Sequence, residues 1–238
     1  MSVEKQELIE KNLLSVFNED FFQDYLTEED FKKFKEVQKD VDVKKGTLLF
    51  GENENAQGVY FISKGLVKLS KSGVYGKDQI LRFIKEGDLV GYRSLLISED
   101  FKAKAEAMSD VEAAFIPGDF FIHLLETYPK LSFAMLQKFA YELGESSNTI
   151  TFLAQKTVRE RLAEVLLLLE LKLGTDPEGF IKISLTREEI ANLIGTATES
   201  AIRLISEFKS DGLIKAEGRN IKILSHERLK KLAHVVEL

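Results

Sequence analysis

The sequence predicts an α+β protein in which N-terminal helices and an antiparallel β-roll precede a long helix and a C-terminal winged helix-turn-helix. Three patterns predict this class. Short apolar runs between glycines occupy residues 37–116, a three-four apolar spacing continues to residue 153, and two amphipathic helices joined at Gly195 precede a hairpin pattern. The predicted domains are an N-terminal helical segment (1–36), the β-roll (37–127), the long helix (128–155) and the winged helix-turn-helix (156–238).

The composition narrows the class of protein. The chain has 238 residues, 44% of them hydrophobic, which is typical of soluble globular domains. No apolar run reaches the ~20 residues of a transmembrane helix, and the N-terminus lacks a signal-peptide core. The absence of cysteine excludes a disulfide framework, a thiolate metal site and a cysteine-ligated iron–sulfur cluster. We therefore expect a cytoplasmic protein with no membrane partner, no metal and no cofactor.

The net charge of −6 is unevenly distributed along the chain. Residues 156–238 contain 14 Lys/Arg against 13 Asp/Glu, so the negative charge lies in the residues before them. Binding of nucleic acid by this C-terminal part would depend on where individual cations lie, since there is no general basic field.

The first half of the chain is predicted to change from helix to strand. Residues Ser2 to Asp40 have helical patterns, with Thr27 as an N-cap before an acidic turn. The predicted strands that follow are Val41/Val43, Leu48–Phe50, Val59–Ile62, Leu66–Leu69, Ile80–Ile84, Leu89–Val90, Ala103/Ala105/Ala107 and Val111–Ile116. Short strands at this spacing predict a small antiparallel roll or jelly roll. The alternation around Lys104 and Glu106 places the alanines inward.

The long helix has a regular apolar seam. Its members are Leu136, Phe139, Leu143, Ser146, Ile150 and Leu153. The seam either packs the helix on its own roll or pairs it with the same helix of a second subunit. We favour the dimer because the heptad spacing is sustained. Ser146 would then lie near the dimer axis, where it fixes register, meets a ligand or is simply tolerated.

Residues 185–208 have a helix-turn-helix pattern. Ile190, Leu193 and Ile194 share one helical face, Gly195 breaks the run, and apolar residues resume over Ile202–Phe208. A helix over Thr157–Leu173 and a short strand over Phe180–Ser184 are predicted before this pattern, and a last helix over His226–Leu238 after it.

The second helix of the pair carries groups suited to DNA bases. Thr196 and Thr198 suit an N-cap, and Glu199 and Arg203 lie one turn apart on the face away from the apolar residues. A carboxylate accepts from cytosine N4, and a guanidinium donates to guanine O6 and N7. The alternative is an ordinary amphipathic hairpin of helices with a solvated Glu/Arg face.

The residues after this helix favour the DNA interpretation. Two β-like runs between Asp211 and Leu224 flank a turn at Gly218-Arg219-Asn220, which predicts the hairpin known as a wing. Lys215, Arg219 and Lys222 give this hairpin positive charge for phosphates.

These elements in this order resemble the CRP/FNR family of bacterial transcription regulators over nearly the whole chain. The resemblance rests on residues 58–69 (GVYFISKGLVKL), 86–91 (EGDLVG) and 185–190 (LTREEI) together with Gly195. It implies a cyclic-nucleotide-binding-like roll, a dimerisation helix and a homodimer that binds double-stranded DNA at a near-palindromic site. We expect no enzymatic activity, because the sequence shows no Ser/His/Asp set, no metal-ligand spacing and no phosphate-binding glycine loop. It also implies contact with RNA polymerase and a place at the bacterial nucleoid. The alternative is a ligand-binding module whose winged helix contacts a protein instead of an operator.

The resemblance assigns roles to individual residues of the helix-turn-helix. Arg187 would hold a phosphate, and Glu199 and Arg203 match the base-reading pair of the family. Thr198 replaces a base-reading Arg of the cyclic-AMP-responsive branch, and Ile202 replaces a base-contacting Ser of the FNR branch, so we expect a different target sequence. The predicted DNA-binding residues are Arg187, Thr196, Thr198, Glu199, Ser200, Arg203, Lys215, Arg219 and Lys222.

The ligand-binding motif of the family is not preserved. Tyr92 stands where cyclic-nucleotide binders have Glu, and Phe101 and Lys102 stand where they have Arg and Ser/Thr. A buried phosphate would lose a charge-assisted contact of roughly 1.5–3 kcal/mol, so we predict that cyclic AMP and cyclic GMP are not effectors. The predicted effector residues are Tyr92, Arg93, Ser94, Phe101 and Lys102, which either form a site for another anion or pack structurally. For His123 a structural role is favoured over haem ligation.

Overall fold

The N-terminal helices are short, and the second of them begins at a side-chain cap. The computed structural model describes residues 19–73 and 76–235, so the predicted helical residues before 19 lie outside the described part. Helix α1 spans Glu19–Tyr25 and α2 spans Glu28–Val37. The hydroxyl of Thr27 accepts from the backbone N–H of Asp30 at 3.2 Å, which confirms the predicted N-cap. The prediction of helix as far as residue 40 is wrong, because β1 begins at Lys39 and pairs with a later strand.

All the predicted strands of the roll are present. Their bounds are β1 Lys39–Val43, β2 Leu48–Phe50, β3 Gly58–Lys64, β4 Leu66–Ser72, β5 Asp78–Lys85, β6 Leu89–Val90, β7 Lys104–Ala107 and β8 Val111–Pro117. A short helix that the sequence did not predict, α3, occupies Tyr92–Leu96 after Gly91, whose φ of 95° is left-handed.

The strands form two four-stranded sheets with a jelly-roll order. One sheet has the order β1-β8-β3-β6 and the other β2-β7-β4-β5. The paired strands for which a register is defined are antiparallel, with Val67 of β4 opposite Ala107 of β7, for example. Ala105 and Ala107 are buried while Glu106 is half-exposed, as the alternation predicted. The antiparallel roll is therefore confirmed.

Two apolar clusters stabilise this half of the chain. The first joins the inner faces of the sheets and includes Phe50, Val67 and Ile84. The second joins the other end of the roll to the helices around it, with Phe22 and Leu131 among its buried members. Burial of apolar side chains at about 25 cal/mol per Å² is the main force that holds such layers together.

Two helices follow the roll. Helix α4 spans Gly118–Thr127 and α5 spans Pro129–Gln155. The chain divides into two compact units, one with the described residues within 1–74 and 81–144, the other with those within 75–80 and 145–238. The division therefore falls inside α5, at residue 144, whereas the sequence placed a domain boundary after residue 155.

Among the described residues, no helix is both long enough and apolar enough to cross a membrane.

The second unit contains the predicted helix-turn-helix. Its elements are α6 Val158–Leu173, α7 Arg187–Ile194, α8 Thr198–Ser210, β9 Ile214–Glu217, β10 Asn220–Ile223 and α9 His226–Ala233. The predicted strand over Phe180–Ser184 is wrong. That segment forms an isolated bridge between Thr175 and Ile181, and the backbone N–H of Ile181 donates to the carbonyl of Ile221 in β10 at 2.9 Å. These contacts do not continue into a regular strand.

Candidate nucleic-acid interface

The turn between α7 and α8 is defined by local backbone chemistry. Thr186 caps α7 in a reciprocal capping box with Glu189. Gly195 ends the helix with a left-handed φ of 61°, which favours glycine. A Cβ at this position would also lie 3.0 Å from Cδ2 of Leu153. The predicted break at Gly195 is therefore confirmed, and it directs the chain into α8.

The predicted hydroxyl cap of α8 is wrong. The N-cap is Ala197, which makes no side-chain capping hydrogen bond. Thr196 lies one residue too early, because its backbone N–H donates to the carbonyl of Ala191 as part of the preceding turn. The half-exposed Thr196, Thr198 and Ser200 therefore lie around the first turn of α8 without serving as its cap.

Helix α8 separates an apolar face from a polar one. Ala201, Leu204, Ile205 and Phe208 are buried. Glu199 is exposed, and so is Arg203, whose side chain is 74% accessible. These two side chains lie one turn apart with their polar groups available, as base contacts in a major groove require.

Ile202 lies on the exposed side of α8. The sequence placed it with the buried apolar residues, but its side chain is 46% exposed and stands beside Arg203. The reason is angular, since residue 202 is about 100° around the helix from both its neighbours and falls outside the buried stripe. An exposed aliphatic group here could contact a thymine methyl. Sequence reasoning omitted Ile202 from the candidate DNA-binding residues.

Arg187 has an intramolecular partner in this structure. One terminal nitrogen of its guanidinium donates to the carbonyl of Gly218 in the wing turn at 2.9 Å. The side chain is half-buried, and burial lowers its pKa from the usual arginine value. The observed contact attaches the start of α7 to the wing, and the other terminal nitrogen, Nη1, is buried without a hydrogen-bond partner. The phosphate contact of Arg187 stays a prediction.

The cations of the wing differ in their intramolecular partners and in their exposure. Lys215 pairs with Glu217 at 2.7 Å, and this hydrogen bond with its charge raises the pKa of Lys215. Lys222 donates to the carbonyl of Glu178 at 2.6 Å. Arg219 is exposed at the tip of the hairpin. Lys215 and Arg219 are thus exposed, whereas Lys222 is half-buried.

The predicted effector residues differ in burial. Tyr92, Ser94 and Phe101 are buried, while Arg93 and Lys102 are exposed. The ring of Phe101 stacks on Phe50 with centroids 3.9 Å apart, inside the sheet cluster. Tyr92 belongs to the other cluster, and the anion site stays a prediction. Structural packing is the alternative that this burial supports for Tyr92, Ser94 and Phe101.

Tyr92 takes part in a charged cluster between the roll and α5. Its hydroxyl donates to Glu142, which also pairs with Arg82. Lys138 lies 3.4 Å from Glu142 and 3.8 Å from Asp88. Burial by itself would raise the pKa of Glu142, but the charges of Arg82 and Lys138 outweigh it and lower that pKa. Burial raises the pKa of Tyr92, so the phenol stays protonated and donates.

We expect Glu142→Gln to destabilise the first unit by about 1–3 kcal/mol, because it leaves two cations with one anion fewer. Urea unfolding at neutral pH measures this loss. Since the folded-state pKa of Glu142 is lowered, its contribution is present above about pH 4.5 and is lost as the pH falls through the folded-state value. The variant should therefore lose less stability on acidification. Glu126 is exposed, so Glu126→Gln serves as the control. If it lowered the free energy of unfolding at neutral pH as much as Glu142→Gln does, this role of Glu142 would be contradicted.

The exposed stripe of α5 has a different phase from the predicted seam. Leu136, Leu143 and Ile150 are 63%, 70% and 67% exposed, as a helix that pairs with another would require. Phe139 instead packs edge-on against Tyr92, with ring centroids 5.3 Å apart, and Leu153 is half-buried. In the single chain these two residues are more covered than Leu136, Leu143 and Ile150, and their assignment to the dimer interface stays a prediction.

Four more exposed residues alternate with Leu136, Leu143 and Ile150 along the same side of α5. Phe133 is 61% exposed, and Ala140, Ser147 and Ala154 are also exposed. Together with Leu136, Leu143 and Ile150 they repeat with alternating steps of three and four residues, which is the heptad pattern of a coiled coil. We call these seven residues the α5 seam. Ser146, although exposed, lies beside this seam.

The described residues offer no ready metal centre. No group of three or more His, Asp or Glu side chains in the described ranges is arranged to hold a metal ion. His123 is exposed on α4, 6.4 Å from the ring of Phe120.

Both units match models of known protein families. Residues 40–128 match the cyclic nucleotide-binding domain, and residues 160–232 match the Crp-like helix-turn-helix domain. The first range covers the roll and the second covers the elements from α6 to α9.

Relatives match the chain across both units. The CRP-like cAMP-activated global transcriptional regulator of Mycobacterium tuberculosis is 28% identical over 195 residues, which are 81% of this chain and 87% of the relative. The transcriptional activator protein Anr of Pseudomonas aeruginosa is 29% identical over 212 residues, 87% of this chain and 86% of the relative. A crystal structure of a transcriptional regulator from Eubacterium rectale has the same fold, with a TM-score of 0.77 at 22% identity over 90% of this chain and 97% of that one.

Proposed function

Because this chain belongs to the CRP/FNR family of transcription regulators, we propose that it acts as a homodimer on a near-palindromic DNA site. Each subunit would insert α8 into the major groove of one half-site. The two half-sites would lie roughly 34 Å apart, which is one helical turn of DNA. We propose RNA polymerase as a further partner. We also propose that the protein acts in the cytoplasm of a bacterial cell.

The observation that carries this proposal is the exposed pair Glu199 and Arg203 on α8. Both side chains extend from the exposed face of the helix, and the opposite face is buried in the protein. The exposed face can therefore meet base edges while the buried face stays packed. Glu199 would accept from cytosine N4, and Arg203 would donate to guanine O6 and N7 of a nearby pair. Arg219 and the other wing cations would supply phosphate contacts, which contribute affinity without sequence preference.

The α5 seam supports the dimer. Large apolar groups such as Leu136, Leu143 and Ile150 are costly to leave in water, and a second copy of the helix would cover them. Small residues at Ala140, Ser147 and Ala154 would let two such helices approach closely. A twofold dimer of this kind would match the symmetry of a near-palindromic site.

The test is a selection from randomised duplexes with the full chain, followed by gel shifts at several salt concentrations. We expect a near-palindrome to be recovered, and its affinity should fall steeply as salt rises. Recovery of no preferred sequence would overturn the proposal and favour the protein-contact alternative for the winged helix.

We further propose that cyclic AMP is not the effector of this protein. The effector would be another small anion, or the protein would have none. The positions that carry Glu and Arg in cyclic-nucleotide binders are occupied here by Tyr92 and Phe101, which are both buried. One relative is named as cAMP-activated, so this chain requires a direct measurement.

Thermal unfolding with cyclic AMP or cyclic GMP should therefore show no rise in Tm. A ligand at about 100 times its Kd stabilises a protein by about 2.7 kcal/mol, so genuine binding would be obvious. A saturable rise in Tm with either nucleotide would contradict the prediction. A search of the purified protein for a co-purifying small molecule addresses the other possibilities.

A further inference from the structure

The recognition helix carries a carboxylate directly behind its exposed arginine. Glu207 lies one turn after Arg203 on α8, and its Oε1 is 3.9 Å from Nε of Arg203. Nε is the inner nitrogen of the guanidinium. A carboxylate on that side leaves both terminal NH2 groups for other partners, and two such groups can bind guanine in a bidentate way.

Glu207 is itself held in place by α6. Its other oxygen, Oε2, accepts from Arg159 at 2.7 Å. The second arm of the Arg159 guanidinium donates to Asp211 at 2.7 Å, and its central carbon Cζ lies 5.0 Å from the ring centre of the fully buried Phe208. A forked guanidinium bound at both ends over an aromatic ring has little freedom left.

The two oxygens of Glu207 therefore serve two different arginines. Arg159 restrains the carboxylate, and the carboxylate faces Arg203. An arginine side chain has roughly 2 kcal/mol of rotamer entropy, so limiting its rotamers before DNA arrives lowers the entropy lost when it binds a base. The sequence contained the signal, because Arg203 and Glu207 are spaced i,i+4.

We propose that Glu207 is a positioning residue that orients Arg203 and sharpens its choice of base, with Arg159 as its support. This inference rests on the proposed function, since it concerns how the same helix selects DNA. Glu207 would not touch the bases itself.

The sign of the effect distinguishes positioning from simple attraction. A carboxylate near DNA repels phosphates, so its removal should raise affinity for any sequence. If Glu207 also orients Arg203, its removal should at the same time reduce discrimination at the pair that Arg203 contacts. Electrostatic repulsion alone predicts the first effect without the second.

The experiment compares Glu207→Gln with Glu217→Gln in the full chain. Glu217 is a wing carboxylate paired with Lys215, so both variants remove one negative charge from the same domain, and only one acts on Arg203. Binding is measured on the selected site, on the same site with the Arg203 base pair changed, and on random duplex. Thermal unfolding of each variant verifies that it is folded.

We expect both variants to bind random duplex about twofold more tightly. Discrimination at the Arg203 pair should fall about five- to tenfold in Glu207→Gln, within the range of a bidentate contact, and stay unchanged in Glu217→Gln. Arg159→Lys, which retains the charge without the fork, should show an intermediate loss at the same pair. Unchanged discrimination in Glu207→Gln, with a wild-type chain that still selects its site, overturns the inference alone. A wild-type chain with no selected site overturns the proposed function instead.

Discussion

Replacement of Arg203 by alanine should weaken binding to the selected site by about 1–3 kcal/mol per half-site and relax the preference at one base pair. The guanidinium is exposed on α8 and has no buried role that the substitution would disturb. Since a homodimer would present two copies, the loss should occur at both half-sites. Competition gel shifts with single-base variants of the site measure both effects.

Arg203→Lys is the matched control for this variant. It retains a positive charge on a long side chain but cannot make two parallel hydrogen bonds to guanine. We expect Arg203→Lys to keep its affinity for random duplex while it loses most of the base preference. A randomised-site selection that returns the wild-type preference from Arg203→Ala would exclude this residue as a base contact.

Replacement of Leu143 by aspartate should convert the protein to monomers at micromolar concentration. Leu143 is 70% exposed at the centre of the α5 seam, where the partner helix would place its own copy nearby. Two unpaired carboxylates in an apolar interface cost on the order of several kcal/mol, which is a large share of the affinity of an ordinary dimer. Multi-angle light scattering gives the mass directly.

Leu171→Asp provides the comparison for this variant. Leu171 is 62% exposed near the end of α6, so the same polar change is made outside the α5 seam. We expect Leu171→Asp to keep the wild-type mass and DNA affinity, while Leu143→Asp loses the advantage of two linked half-sites. If Leu143→Asp retained the dimer mass, the α5 seam would not be the interface.

The elements of the fold were largely predictable because their signals are local. Thr27, Thr157 and Thr186 each cap a helix, and each stands in the sequence pattern expected of a cap. Alternation of small and charged residues was sufficient to predict that Ala105 and Ala107 would be buried. The cap of α8 was missed because Thr196 donates its own backbone N–H to the preceding turn, a bond that composition does not reveal.

Candidate site residues were harder to predict than elements. Glu199 and Arg203 were found on the exposed face because helical periodicity places them opposite the apolar stripe. Arg187 could not be assigned its contact with Gly218, since that contact joins residues 31 positions apart. For the same reason the sequence did not connect Tyr92 with Glu142, 50 positions away.

By itself the sequence determined most of the elements, their order, the break at Gly195 and the polar face of α8, because periodicity and backbone preference depend on neighbouring residues. Only the tertiary structure decided which flank of α5 stays exposed. Phe139 and Ala140 are adjacent in sequence and lie about 100° apart on the helix, and either could have continued the apolar pattern. Phe139 packs against the ring of Tyr92, which leaves Ala140 exposed with Leu136 and Leu143. A helical period defines faces, but packing against distant residues selects the face that is covered.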